Sequence, residues 1–317
     1  MTMAVYLWQA GVCVLAIGLA PLFAGWIGQC RAMLQNRSAP PLWQPYRMLR
    51  KLLHKEATLA TDASWLFRSA PYVVFAVMVL SAAIIPSLTT ELPVARVADA
   101  IALVGLFATA RVFMALAAMD IGTAFGSLGA RREMMIGFLT EPALLMVLFN
   151  AFLMAGTTAL PAIVQNTLTP SQAMLHPSLA FAAVAFVMVL LAENARLPID
   201  NPSTHLELTM IHEAMVLEYS ARHLALIEWA SWLKLFNYAC IGFTLFIPWG
   251  IATHSVSVDS IALALLILVT KLFVAGAALA FFETTSAKLR LFRAPEFLTM
   301  AFLLAVLGLL VHLLLEG

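Results

Sequence analysis

Five long stretches of this 317-residue chain contain no Asp, Glu, Lys or Arg: 1–30, 69–90, 142–192, 235–258 and 297–315. A helix crosses the hydrocarbon of a bilayer with about 20 mostly apolar residues, and lipid leaves the backbone few alternatives to a helix. The longest stretch can supply two crossings. Gly156, Thr157, Thr158, Pro161, Gln165, Asn166, Pro170, His176 and Pro177 give it a polar, helix-breaking middle. Segments 97–119 and 259–285 have apolar centres interrupted only by Arg111 and Lys271. The sequence therefore predicts an all-α integral membrane protein, one transmembrane domain over 1–317 with about eight spans. They fall near 4–28, 69–88, 97–119, 135–157, 178–196, 224–250, 259–285 and 295–315. The first run lacks a basic leader and exceeds the apolar core of a signal peptide, so it reads as a span. Only 11% of residues are charged, against about 25% in soluble domains, too few to cover a water-facing surface.

Lys and Arg set the orientation. Loop 29–68 carries Arg31, Arg37, Arg47, Arg50, Lys51, Lys55 and Arg68. Loop 120–134 adds Arg131 and Arg132, the loop after the fifth span adds Arg196 and Arg222, and loop 286–294 adds Lys288, Arg290 and Arg293. With eight spans, these 14 of the 18 basic residues share one side, and only Arg96 faces the other. That asymmetry marks 29–68 as a basic cytoplasmic loop and 197–223 as an acidic cytoplasmic loop. Both termini then face outward across a prokaryotic inner membrane.

Several chemistries are unsupported. Cys13, Cys30 and Cys240 are scattered and form no C-x-x-C pair, so the chain offers no ligand set for an iron–sulfur cluster or zinc. Phosphate-binding glycine motifs, an H-E-x-x-H and internal repeats are all missing, and a net charge of +1 gives no footprint for nucleic acid. What carries chemistry is the few charges inside or at the ends of spans: Arg111, Glu141, Glu193, Glu228, Lys234, Lys271 and Glu283. Each costs about 2.5 kcal/mol or more in hydrocarbon and is expected to face the bundle interior or a hydrated cavity. Carboxylates alternating with water can relay protons where both protonation states are accessible.

The segment 193–220 gathers Glu193, Asp200, Glu207, Glu213 and Glu218 between two spans, with Pro198 and Pro202 interleaved with Leu, Ile and Met. That mixture reads as a loop dipping back among helices. Ser203 or Thr204 can cap a helix there with Glu207 as neighbour. His205, Glu207 and His212 lack a recognised metal spacing, so no metal is assigned.

These residues carry a resemblance. Glu193, Arg196, Pro198, Asp200 and the run Glu218-Tyr219-Ser220 resemble the fifth-loop signature of the complex I H subunit family, the mitochondrial subunit 1 family. Gln44-Pro45-Tyr46-Arg47 followed by Lys51-Leu52-Leu53-His54-Lys55-Glu56 is similar to the family's first cytoplasmic loop. Arg111 with Phe113, Asp120 with Gly122, Arg132-Glu133, Glu141-Pro142, Ile247-Pro248-Trp249-Gly250, Lys271 and Glu283 resemble its hydrogenlyase branch, the membrane anchors of formate hydrogenlyase and hydrogenase-4. The likeness runs from the first loop to the last. Departures are Ser203 and His205 where the family usually has carboxylates, and Tyr46-Arg47-Met48 where complex I has an acidic residue.

The resemblance implies a membrane anchor that docks a soluble redox arm and lines a proton-coupling path. Glu141, Glu193, Asp200, Glu207, Glu213, Glu218 and Glu283 are the implied path, with His205 and His212 as relays near neutral pH. Arg132, Arg196, Tyr219, Gln44, Tyr46 and Arg47 would line the cavity or docking face, and Arg111, Lys234 and Lys271 are buried charges. The chain itself would hold no cofactor. Iron–sulfur clusters, and in the hydrogenase branch a nickel–iron centre, would sit in partners: hydrogenase-like large and small subunits and an iron–sulfur subunit. Antiporter-like subunits and the lipid bilayer complete the expected surroundings. The alternatives are a quinone-reducing complex I H subunit and a stand-alone ion transporter. A purely structural anchor would only pair its charges internally, Lys234 with Glu228 for example.

Overall fold

In a computed structural model the chain is a helical bundle, described at residues 2–60, 62–91, 94, 99–168, 177–200, 210–253, 258–287, 289 and 293–316. The helices are α1 (Thr2–Leu34), α2 (Gln44–Leu53), α3 (Trp65–Ile84), α4 (Ala100–Asp120) and α5 (Ala124–Ala155). They continue with α6 (Leu160–Thr167), α7 (Pro177–Glu193), α8 (His212–Val216), α9 (Ala221–Phe246), α10 (Val258–Thr285) and α11 (Ala294–Val311). Each of the eight expected spans coincides with a long helix. Length and apolar composition qualify α1, α3, α4, α5, α10 and α11 as able to cross a membrane. The count supported on those grounds is six. Of the other two long helices, α7 has 17 residues and α9 carries Arg222, Glu228 and Lys234.

Local chemistry sets the helix ends. Ser64 Oγ accepts from Leu66 N, Asp99 Oδ1 from Ala102 N and Thr123 Oγ1 from Gly126 N, which satisfies donors that an N-terminus leaves open. At its far end α5 stops on Gly156 at φ 65°, a left-handed cap that glycine adopts without strain. Thr123 starts α5 eleven residues before the expected span at 135, so most of the expected loop 120–134 is helix. Loop 29–68 likewise contains α2.

Small residues bring the helices together. On α11 Ala294, Leu298, Ala301, Ala305 and Gly308 form a buried stripe against α5 and α7. A Cβ on Gly308 would stand 2.9 Å from Ser178 O. Without a hydrophobic driving force between helices in lipid, such close approach is the main source of packing energy. α4 lies between α3 and α5, and α10 rests chiefly on α1.

The loops sort into two ends. At one end Thr58 contacts Ser220, Asp120 accepts from Ser64 N, Arg132 reaches Met210 O and Leu289 N donates to Pro198 O. All four basic loops therefore gather there. At the other end Thr89 bridges Ala252, and Thr90 meets Gln165.

Candidate functional site

Glu133, Gly137 and Glu141 lie four and eight residues apart on α5, one stripe of that helix. The stripe faces Arg111 of α4, which is buried at 6% exposure. Arg111 Nε lies 3.3 Å from Glu133 Oε1, and Nη1 donates to Glu141 Oε1 at 2.5 Å. Gly137 makes the notch: a Cβ there would be 2.7 Å from Arg111 Cδ and 2.9 Å from Cζ. Arg111 Nη2 donates to Glu193 Oε1 at the end of α7. One guanidinium thus meets three carboxylates from two helices, the fork geometry that arginine alone provides.

Glu193 is held from its other side. Thr140 Oγ1 donates to its Oε1 at 2.5 Å, and Lys234 Nζ of α9 stands 2.8 Å from its Oε2. The same ammonium donates to the Glu193 carbonyl at 2.6 Å, one of the carbonyls that a helix C-terminus leaves unsatisfied.

Toward the basic end, His212 at the start of α8 stands between two carboxylates. Its Nε2 is 3.1 Å from Glu133 Oε2, its Nδ1 is 3.5 Å from Asp200 Oδ2, and its backbone N donates to Asp200 at 3.4 Å. Burial alone would lower the imidazole pKa. The Glu133 carboxylate and the Asp200 hydrogen bond outweigh it and hold His212 above its ordinary value. Arg111, Glu133, His212 and Lys234 also line a cavity of about 130 Å³, shared with Met114 and Met215. At about 30 Å³ per molecule of liquid water, several waters fit beside these polar groups.

The sequence-predicted residues sort as follows. Arg111, Glu141, Glu193, Asp200, His212 and Lys234 come together. Glu133 and Thr140 join them; Thr140 was not singled out in the sequence, and Glu133 stood there only within the Arg132-Glu133 likeness. A further signal for Glu133 is its spacing to Gly137 and Glu141 on one helical stripe. Lys234 does not pair with Glu228: six residues put them about 120° apart around the helix, and Lys234 turns to Glu193. Glu283 is buried but separate, held by Arg196 at 3.0 Å and Arg31 at 3.7 Å. Arg132 Nη1 donates to Met210 O at 2.8 Å, beside His212 in the chain.

The remaining residues lie outside the cluster. Lys271 donates to Ile247 O at 2.6 Å and Trp249 O at 2.5 Å, closing the end of α9. Tyr219 is buried, stacked on Phe67 with ring centroids 4.0 Å apart, its hydroxyl donating to Phe67 O. Tyr46 donates to Gly18 O, while Gln44 and Arg47 are exposed on α2. Glu213 is half-buried on α8, and Glu218 is exposed. His205, Glu207 and the expected caps Ser203 and Thr204 lie outside the described residues.

The chain is 35% identical to formate hydrogenlyase subunit 4 of Escherichia coli (strain K12), covering 88% of this chain and 89% of that protein. It is 32% identical to hydrogenase-4 component C of the same organism, covering 93% and 92%. Its fold matches a chain of the membrane-bound sulfane sulfur reductase, an archaeal respiratory membrane complex, with a TM-score of 0.78 at 19% identity. That match covers 97% of this chain and 99% of the other. The sequence also matches the NADH dehydrogenase family over residues 8–314. The chain is a multi-pass membrane protein of the NADH dehydrogenase family, complex I H-subunit-like and a relative of formate hydrogenlyase subunit 4 and hydrogenase-4 component C.

Proposed function

We propose that this chain is the membrane anchor of a hydrogenase-type, complex I-like assembly. It docks the soluble redox subunits at its basic end and passes protons from Asp200 through His212 and Glu133 to Glu141. The names of its curated relatives support the class of complex. The charge count of the cluster carries the proton role. Among the described residues, Glu133, Glu141 and Glu193 meet two permanent cations, Arg111 and Lys234. One excess negative charge in a low dielectric is expensive, so neutrality calls for an exchangeable proton. His212 is one place for it and Glu141 another. The Glu141 side chain, 36% exposed at the rim of the bundle, is the natural hand-over point to an antiporter-like partner.

At the basic end, exposed Arg47, Arg50 and Lys51 on α2 form the docking face, and the positive-inside rule puts it in the cytoplasm with both termini outside. Redox centres belong to the partners. Cys13 and Cys30 stand 17 residues apart on α1, about 25 Å along the axis, so they cannot share a cluster. Glu141→Gln in the assembled complex tests the path. Proton translocation per turnover should fall while assembly persists, and unchanged translocation would remove Glu141 from it.

A further inference from the structure

A second groove of about 460 Å³, lined by apolar residues, runs between α1, α7, α9 and α10. Its floor is one stripe of α9: Leu235, Ala239, Gly242, Phe243 and Phe246. Gly242 keeps it open, because a Cβ there would stand 2.8 Å from the Phe186 ring on α7. The α10 wall includes Ala278, which is exposed. From Leu235 to Ile247 the groove follows α9 for about 18 Å, a length along which a single extended hydrocarbon chain can lie.

Three walls of the groove lead to the same charges. Arg31 lies two helical turns beyond Phe23 on α1, Arg196 follows Leu190 and Leu191 of α7, and Glu283 follows Phe282 on α10. Arg31 and Arg196 share the one Glu283 carboxylate, so these three side chains carry one net positive charge. The Arg31 side chain is 35% exposed and its 3.7 Å pairing is loose, which leaves it donors to spare. Basic pockets between membrane helices at the cytoplasmic surface suit anionic headgroups.

We propose that this groove is a binding site for one anionic phospholipid, its acyl chain along the α9 stripe and its phosphate on Arg31 and Arg196. The acyl chain fills apolar space that does not suit water. The headgroup supplies selectivity, since apolar packing alone does not distinguish one lipid from another.

The test uses the purified full chain in detergent, stripped of lipid and titrated with phosphatidylglycerol or phosphatidylcholine of matched acyl chains. Native mass spectrometry reads the lipid retained. One phosphatidylglycerol per chain should be kept about fivefold better than phosphatidylcholine, the factor expected for one net cationic charge at a membrane surface. Arg31→Gln should abolish that preference while leaving Arg196 on Glu283. Ala278→Trp should reduce retention of both lipids, and Ala278→Leu replaces it if a melting curve shows unfolding. Equal retention of the two lipids by the parent chain overturns the proposal. So does a groove-filling variant that retains lipid normally, or a cross-link from position 278 to a partner subunit's helix in the assembled complex.

Discussion

Gly137→Ala is the sharpest probe of the charged cluster, because it adds one methyl group at the notch where Arg111 lies. The new Cβ would stand 2.7 Å from Arg111 Cδ and 2.9 Å from Cζ, against an ordinary contact of about 3.5 Å or more. The guanidinium must therefore retreat by roughly 0.7 Å, and it is pinned by Glu133, Glu141 and Glu193. Lengthening an ion pair from about 3 to about 3.7 Å at an effective dielectric of 20 weakens it by about 1 kcal/mol, about a sixfold change in the equilibrium it biases. Helix propensity works in the other direction, since alanine stabilises a helix interior by about 1 kcal/mol over glycine. The bundle should thus keep its stability while the cluster loses its poise. In proteoliposomes of the assembled complex, Gly137→Ala should assemble and turn over but translocate several-fold fewer protons per turnover. Full coupling in this variant would refute the argument that the notch sets the position of Arg111.

Other consequences follow from single contacts. Arg111→Gln should destabilise the chain by about 3–5 kcal/mol, read as a lowered melting temperature in detergent, and Arg111→Lys should not restore it, because an ammonium cannot reproduce three diverging contacts. His212 sits above its ordinary pKa, so the stability it contributes is complete below about pH 6.5 and is lost as pH rises through the raised folded value. His212→Asn should flatten the melting temperature across that window, and an unchanged slope would exclude the pairing with Glu133 and Asp200. Lys271→Met leaves the Ile247 and Trp249 carbonyls without their donor, at about 1–3 kcal/mol, and should raise hydrogen exchange over residues 247–251.

How much of this could be read from the sequence differs by residue. The intramembrane charges Arg111, Glu141, Glu193 and Lys234 were legible because hydrocarbon tolerates a charge only where something else holds it. Glu133 entered only through the Arg132-Glu133 likeness, because the expected loop 120–134 hid its place on a helix. Helix phase decides: Arg131 is exposed, and Glu133, two residues on, is buried. Once Thr123 starts α5 early, the spacing of Glu133, Gly137 and Glu141 becomes a helical stripe. The meeting of Asp200 with His212 depends on a chain reversal between them that residue types do not specify. Glu218, which its motif placed on the implied path, lies at an exposed position. Glu283 was rightly expected to be buried, yet its partners are two arginines of its own and not the central chain.

The double engagement of Lys234 has a mechanical consequence. Its ammonium grips both the side chain and the terminal carbonyl of Glu193, so one group of α9 holds a charge and the end of α7 together. Neutralising Glu193 would release half of that grip and leave Lys234 on the α7 carbonyl, beside the packing of Phe186 on Tyr238 and Phe246. α7 also bears on α5 and α11. A charge change at Glu193 would thus bear on how α7 sits against α5 and α11, at a distance from either residue.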